Sequence, residues 1–309
     1  MSFHAVSIHA VSLVSNLPDH LQHQLDAGAC LRAQGYRGRF APTPSGPLHL
    51  GNLRTALVSW LVARLSGGEW LLRLDDLDTP RLRPGAAESV VEDLRWLGLA
   101  WDGPVLLQSQ RRGYYHSLLS HLRRQGLVYA CRCSRRDLAP VSRYPGTCRH
   151  CRHSWGWLDR RLPAWRLRLQ PGQDVACGDV VLRRADGFIA YHLATAVDEI
   201  TCGISEVVRG RDLASVRDAQ VAVMAVLEQP APIYRHVPLL CDASGQKLAK
   251  REASEGLDPC RDAGMGSDKV IGHLAAQMGL VPEGSVLTAL ELQQTLASDR
   301  QRLEAYLAD

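Results

Sequence analysis

A stretch rich in glycine and proline, RFAPTPSGPLHLGN from Arg39 to Asn52, contains the residue types that hold a phosphate group. Gly46 and Gly51 allow the backbone to approach a ligand closely. The helix predicted to follow would point its free N–H groups and the positive end of its dipole at the same place. His49 precedes that helix, where an imidazole could donate a hydrogen bond to phosphate oxygens that gain charge in a transition state. The stretch predicts a phosphate site, although HLGN by itself favours an ordinary turn.

A second candidate for phosphate binding lies far downstream, in the sequence SGQKLAKRE. It contains Lys247 and Lys250, which are three positions apart on a loop that a glycine precedes. Two such lysines can hold a triphosphate as mobile point charges. Taken alone, the sequence is equally typical of a surface loop.

Cysteine and histidine concentrate between residues 131 and 153, in CRCSRRDLAPVSRYPGTCRHCRH. The chain has nine cysteines and lacks a secretory signal, which disfavours a disulfide framework because the cytosol keeps thiols reduced. Structural zinc sites take four ligands, often as two short pairs separated by a loop. The residues alone therefore predict zinc held by Cys131, Cys133, Cys148 and one of Cys151, His150 or His153.

Strand and helix patterns alternate through most of the chain, which predicts an α/β fold with a parallel sheet covered on both faces. The first half of the predicted main domain, 37–126, begins with a short strand, the glycine- and proline-rich stretch and a helix with apolar residues at helical spacing. Alternation breaks at 127–185, where the cysteine cluster indicates an inserted subdomain, and resumes over 186–256. Residues 257–309 have a helical pattern. Residues 1–36 are expected to form a disordered extension.

The composition is that of a soluble globular protein, with 309 residues of which 46% are hydrophobic and 22% charged. No apolar run approaches the roughly 20 residues that cross a bilayer. We therefore expect a cytoplasmic protein without a membrane partner. The formal charge of +4 is modest, but arginines cluster between Arg123 and Arg152, around the cysteines. This clustering favours contact with a nucleic acid over a merely solvated face.

The histidine and lysine motifs occur in the order found in class I aminoacyl-tRNA synthetases, and the chain resembles the glutamate-type branch of that family. HLGN at His49 is similar to the HIGH motif, and KLAK at Lys247 is similar to the KMSKS motif, with Ala249 in place of serine. The resemblance implies a class I Rossmann-type sheet with a zinc-containing insert and a short helical C-terminal region. It also implies activation of L-glutamate by ATP that carries Mg²⁺.

The resemblance further implies which residues contact each substrate, with arginines for carboxylates and an acid for the ammonium. Glutamate is expected to contact Arg39, Ser45, Asp75, Tyr191 and Arg209. ATP is expected to contact Gly46, His49, Gly51, Asn52 and Lys250, and the catalytic residues are expected to be His49, Lys247 and Lys250.

Besides Ala249, two positions depart from the family pattern, and the insert matches it. The family usually carries glutamate where this chain has Asp75, and paired aspartates where it has VDE at Val197 to Glu199. In the insert, the family spacing C-x-C followed by Y-x-x-x-C implies Tyr144 as the fourth zinc ligand beside Cys131, Cys133 and Cys148.

The segment after the KLAK loop is too short for the large anticodon-binding region of full-length glutamyl-tRNA synthetases. The resemblance is therefore to short relatives that activate glutamate without tRNA and attach it to the queuosine base at the wobble position of tRNA(Asp). It implies the anticodon loop of tRNA(Asp) as partner, and we expect a monomer. Two alternatives remain open, a truncated glutamyl-tRNA synthetase that charges the tRNA 3′ end and a non-catalytic tRNA-binding paralogue.

Overall fold

A computed structural model describes residues 17–139, 141–169, 172–173, 175–238 and 256–308. Helices and strands alternate over the first part of the chain. They are α1 (Asp19–Ala33), β1 (Arg37–Phe40), α2 (Leu50–Leu65), β2 (Glu69–Leu74), α3 (Ala86–Trp96), β3 (Leu106–Leu107) and α4 (Arg112–Arg124).

The next elements belong to the region of the cysteine cluster. They are β4 (Val128–Cys131), α5 (Arg135–Leu138), β5 (Ala164–Leu167) and β6 (Val181–Arg183), and the three strands form an antiparallel sheet in the order β4-β5-β6. Alternation then resumes with α6 (Tyr191–Thr201), β7 (Glu206–Gly210), α7 (Arg217–Val226) and β8 (Ile233–Val237). Four helices complete the described chain, α8 (Asp258–Asp262), α9 (Ser267–Gln277), α10 (Ala289–Ser298) and α11 (Arg300–Ala308).

The central sheet is parallel. β1 pairs with β2 and β2 with β3, while β7 pairs with β8. Ser205, just before β7, joins the two groups because its N–H donates to the Arg37 carbonyl of β1 at 2.9 Å. The β7–β8 pair therefore lies beside β1, and the carboxyl ends of β1, β2 and β7 share one edge. The predicted α/β architecture with parallel strands is confirmed.

Helices cover both faces of this sheet. Side chains alternate along a strand, so Phe40, Trp70 and Leu72 pack in one apolar core with α2. Arg39 and Arg73 lie on the opposite face, where they meet acidic residues of α6. The sheet is thus apolar on one side and carries buried charge on the other.

The N-terminal helix α1 differs from what the sequence suggested for residues 1–36. Its Leu21 and Leu25 are buried in a second core, together with apolar residues of α4 and α6. Gly28 lies so close to α6 that a Cβ there would be 2.1 Å from the Ile200 carbonyl oxygen. The expectation of disorder does not hold for α1, and residues 1–16 lie outside the described part of the chain.

The helices were compared with the length and hydropathy of membrane-spanning segments. Among the described residues, no helix combines the length and apolar character that a membrane span requires.

Candidate active site

The loop between β1 and α2 has the features of a phosphate-binding turn. His49 is the N-cap of α2, and its Nδ1 accepts a hydrogen bond from the Asn52 N–H at 3.3 Å. A ring nitrogen that accepts carries no proton, so a single proton on this ring is carried by Nε2. His49 is exposed on the loop, where its ring could meet a phosphate group.

Two glycines give this loop its shape. Gly46 has a φ of 148°, a conformation that L side chains rarely adopt. A Cβ at Gly51 would lie 3.0 Å from the His49 ring, so a larger residue there would crowd the imidazole. Gly46 therefore allows the unusual backbone of the loop, and Gly51 leaves room for the His49 ring.

The two lysines of the KLAK loop, together with Ala249, lie outside the described residues. The residues on either side of that segment are described. The Pro238 carbonyl, just beyond β8, accepts a hydrogen bond from Arg54 of α2. Gly256 lies against Pro47 of the phosphate loop, with only 2.8 Å between the Pro47 Cβ and a Cβ built on Gly256. Both ends of the lysine segment therefore adjoin the phosphate loop and α2.

Two of the arginines expected to bind glutamate lie on neighbouring strands. Arg39 of β1 is 5% exposed and Arg209 of β7 is 3% exposed. Arg39 Nη2 donates to Glu199 Oε1 at 2.8 Å, and Nη1 donates to the Val208 carbonyl at 3.3 Å. A buried carboxylate therefore compensates the charge of Arg39.

Arg209 has no such partner. Its Nη1 donates to the amide oxygen of Gln220 at 2.7 Å, and its Nη2 has no hydrogen-bond partner among the described residues. Burial lowers the pKa of Arg209, since no acid bonded to it offsets the loss of water. A guanidinium held in this way favours the arrival of a carboxylate, which could take the vacant donor and supply the missing charge.

Two residues at the start of α6 lie near Arg209. Tyr191, at the start of α6, is 37% exposed and lies close enough to Arg209 for their charges to interact. His192 stacks edge-on against Tyr191, with ring centroids 6.0 Å apart. Burial, followed by the charge of Arg209, lowers the pKa of His192, so its ring is neutral at pH 7. The structure thus groups Arg39, Tyr191 and Arg209, while Ser45 is exposed on the loop.

Asp75 follows β2 and is 7% exposed. Both of its oxygens accept from Arg73, at 2.7 and 3.3 Å. Burial raises the pKa of Asp75, although Arg73 acts against the rise. The carboxylate expected to hold the substrate ammonium is therefore already paired, and an ammonium would have to share it with Arg73.

The VDE segment of α6 contains two buried acids with separate roles. Glu199 is 1% exposed and accepts from Arg39 and from the Tyr234 hydroxyl, the latter at 3.0 Å. It thereby sets the orientation of Arg39. Glu199 was not among the predicted site residues, although an acid within an apolar helix indicates a buried partner.

Asp198 is fully buried and holds α4 against α6. It accepts from Gln108 at 2.7 Å, from Arg111 at 2.8 Å and from Tyr115 at 2.8 Å. Burial, together with Asp198, raises the pKa of Tyr115, so this hydroxyl remains a donor. Arg73 lies 3.8 Å from Asp198, which links the network to Asp75.

The insert forms a candidate metal centre. The sulfurs of Cys131, Cys133 and Cys148 all lie within 4.8 Å of one another. The Tyr144 hydroxyl is 3.5 Å from Cys131 Sγ and accepts from the Cys148 N–H at 2.9 Å. Cys151 is exposed, with its sulfur directed at the Thr147 carbonyl.

The alternatives for the fourth metal ligand lie at different places: Tyr144 is beside the three sulfurs, whereas Cys151 is exposed. Neither His150 nor His153 belongs to the three-sulfur cluster, and His150 is exposed. Burial opposes ionisation of Cys131, but hydrogen bonds from Tyr144 and Arg166 outweigh burial and lower its pKa. Three thiols grouped in this way could supply three ligands of a tetrahedral structural metal site, and the Tyr144 hydroxyl lies beside them.

Comparison with known proteins gives a consistent result. The family model for the catalytic domain of class I tRNA synthetases (E and Q) matches residues 36–143 and 165–285. A glutamyl-Q tRNA(Asp) synthetase of Prochlorococcus marinus (strain MIT 9313) is 60% identical over 300 residues, which are 95% of this chain and 98% of that protein. One of Nocardia farcinica (strain IFM 10152) is 44% identical over 271 residues, covering 80% and 86%.

Solved structures agree with this at the level of the fold. The crystal structure of a glutamate tRNA ligase from Elizabethkingia meningosepticum CCUG26117 in complex with its amino acid has a TM-score of 0.68 and 24% identity. The match covers 84% of this chain, which spans only 64% of that longer one. The family match over most of the chain, the phosphate loop and the parallel sheet together show that the chain belongs to the class I tRNA synthetases of the E and Q type.

Proposed function

We propose that this protein activates glutamate with ATP, without tRNA, and transfers it to the queuosine base at the wobble position of tRNA(Asp). One observation of the structure carries the choice of amino acid. Arg39 and Arg209 are buried on neighbouring strands, and among the described residues Glu199 is the one acid bonded to either of them. The two arginines therefore lack one negative charge, which the side-chain carboxylate of glutamate would provide.

The activation step needs no nucleophile from the protein. The α-carboxylate oxygen of glutamate attacks the α-phosphorus of ATP in line, the bond to the bridging oxygen breaks, and pyrophosphate leaves with its electron pair. The products are glutamyl-adenylate and pyrophosphate. Mg²⁺ bound with ATP would neutralise part of the phosphate charge.

This chain would contribute positioning and charge. His49 Nε2 would donate to a phosphate oxygen as negative charge accumulates there. Lys247 and Lys250 would bind the departing pyrophosphate, since the flanks of their segment adjoin the phosphate loop. Positioning and electrostatic stabilisation of this kind account for most of the catalysis in phosphoryl chemistry.

In the second step a hydroxyl of the queuosine base attacks the activated carbonyl. The ester forms, the bond between carbonyl carbon and phosphate oxygen breaks, and AMP leaves while the hydroxyl proton passes to solvent. The proposed acceptor rests on the relatives that are named for this reaction, which match 95% and 80% of the chain.

We further propose that the metal of the insert is zinc, held by Cys131, Cys133, Cys148 and Tyr144. The thiol-rich donor set favours zinc over magnesium or calcium, which prefer oxygen ligands. Its role would be structural, because the cluster is buried within the insert and the adenylation chemistry already has its cations.

Two measurements test the proposal in order. Glutamate-dependent exchange of pyrophosphate into ATP should proceed without any RNA, whereas aspartate and glutamine should give background. Labelled glutamate should then appear on a tRNA(Asp) anticodon stem-loop that contains queuosine, and not on the same stem-loop with guanine. The full-length product should keep a free 3′ end.

Each alternative has its own signature. Glutamate recovered on the terminal adenosine, or a need for the acceptor stem, would assign the chain to ordinary glutamyl-tRNA synthetases. Absence of exchange together with retained tRNA binding would indicate a non-catalytic paralogue.

A further inference from the structure

The insert exposes a tryptophan at the tip of a tight turn. Trp157 is 71% exposed, more than any other large apolar side chain of the described residues. Its neighbour Leu158 is 50% exposed, and Val141 of the same insert is 41% exposed. Burying an exposed indole is favourable, so Trp157 and Leu158 offer apolar surface that a partner could cover.

The turn after Trp157 is strained. Leu158 and Arg161 exchange two backbone hydrogen bonds, at 3.1 and 3.0 Å, across Asp159 and Arg160. Asp159 has a φ of 50° and Arg160 a φ of 57°, although neither is glycine. Successive left-handed residues without glycine cost about 1–2 kcal/mol each and persist only where surrounding contacts enforce them.

Those contacts come from an arginine beside the metal cluster. Arg132 donates to the carbonyls of Ser154 and Gly156, at 2.9 and 2.7 Å, and to the Arg161 carbonyl at 3.3 Å. One guanidinium therefore binds both ends of the turn. This arrangement fixes the backbone that carries Trp157 before any partner arrives.

The preceding tryptophan anchors the turn from below. Trp155 packs edge-on against Trp165 of β5, with centroids 4.8 Å apart, and Arg123 of α4 lies 4.3 Å from the Trp155 ring. Of the two tryptophans in the sequence WGW, Trp155 therefore packs on the sheet and Trp157 is exposed to solvent.

The turn lies in a strongly basic segment of the sequence. Residues 131–161 contain eight arginines and two aspartates, so this segment carries +6 while the whole chain carries only +4. Some of these arginines are bonded within the protein, as Arg149 is to Asp179 and Arg161 is to the Cys133 carbonyl. An exposed aromatic ring on an arginine-rich segment suits single-stranded nucleic acid, whose bases can stack on the ring while its phosphates contact the remaining cations. A lipid surface or a protein partner would favour a wider apolar patch than one indole with one leucine.

We propose that Trp157 is a stacking platform for an unpaired base of the RNA substrate, presented by the turn 154–161. That the RNA is an anticodon loop rests on the proposed function. The stacking role itself rests on the exposure of Trp157, the turn held by Arg132 and the arginine-rich segment that contains the turn. Because the turn is held in advance, binding need not order it, which lowers the entropic cost of association.

The test compares three variants in the full-length protein with a fluorescently labelled tRNA(Asp) anticodon stem-loop. Trp157→Ala should raise the dissociation constant about tenfold, the equivalent of about 1.4 kcal/mol. Trp157→Phe should restore most of the affinity, since a phenyl ring also stacks. Leu158→Ala, the matched control, should bind like the wild type.

Pyrophosphate exchange with glutamate and no RNA should be the same in all three variants, which also reports that they are folded. An unchanged RNA affinity in Trp157→Ala, or an equal loss in Leu158→Ala, would overturn the inference. The inference would also be overturned if the wild type bound anionic phospholipid vesicles and Trp157→Ala lost that binding while it kept its affinity for RNA. If the wild type shows no exchange, the proposed function fails, while the comparison of RNA affinities still decides the role of Trp157.

Discussion

Arg39 and Arg209 provide a sharp prediction, because both are buried and both are assigned to glutamate but only one has an acidic partner. We expect Arg39→Met and Arg209→Met each to lower kcat/KM for glutamate at least about 10³-fold, which corresponds to about 4 kcal/mol of lost transition-state binding. Their effects on stability should differ. The difference follows from the buried polar group that loses its partner in each variant.

Arg39→Met leaves Glu199, 1% exposed, with only the Tyr234 hydroxyl as partner. Removing one member of a buried ion pair typically costs about 3–5 kcal/mol, and we expect a loss of this size. Arg209→Met loses hydrogen bonds to Gln220 and to His236, and it leaves the buried Gln220 amide oxygen unpaired, but it also removes a buried donor that has no partner among the described residues. Removing that donor recovers about 1–3 kcal/mol and offsets part of the loss, so the free energy of unfolding should fall by about 1–2 kcal/mol, less than in Arg39→Met.

Urea unfolding measured without glutamate gives the stability of each variant, and pyrophosphate exchange gives the activity. The double variant Arg209→Met/Gln220→Leu is the control. It should be more stable than Arg209→Met alone, because it also removes the amide left without its partner. If Arg209→Met destabilises the protein as much as Arg39→Met, the charge of Arg209 is compensated in the free protein, and the argument for a pocket that lacks one negative charge is refuted.

Three further predictions concern the metal, the phosphate loop and pH. Cys131→Ser should lose about one zinc per chain by elemental analysis, whereas Cys151→Ser should keep it; full metal content in Cys131→Ser would disprove the site. His49→Ala should lower the kcat of exchange by about 10²–10³-fold with little change in KM for glutamate, and Gly51→Ala, which crowds the imidazole, should cause a smaller loss of the same kind. An effect of His49→Ala confined to KM would contradict its role. Because the pKa of His192 is lowered in the folded state, unfolded chains take up its proton first as pH falls through about 6.5, so stability should decrease below that pH. Urea unfolding of His192→Gln should show a weaker decrease, and an unchanged pH profile would exclude His192 as a cause.

Local features of the sequence were sufficient to predict the fold class and several elements of the candidate site. The alternation of strands and helices predicted the parallel α/β sheet because side-chain periodicity depends only on neighbours along the chain. The glycines, His49 and the helix behind them predicted a phosphate loop for the same reason, since the loop and the helix start are contiguous. The cysteine spacing predicted three of the residues that meet at the metal centre. Disorder was expected for residues 1–36, and there the sequence misled, because α1 is stabilised by burial of Leu21 and Leu25 against helices distant in sequence.

Only the tertiary structure decided how charges are shared. Glu199 and Arg39 are far apart in sequence and meet because α6 covers the face of the sheet that carries Arg39. Asp75 is paired with Arg73, a neighbour along the strand, because both are buried and cannot reach water. In each case the partner of a buried polar group depends on which distant segments exclude water from it, and spacing along the chain does not contain that information.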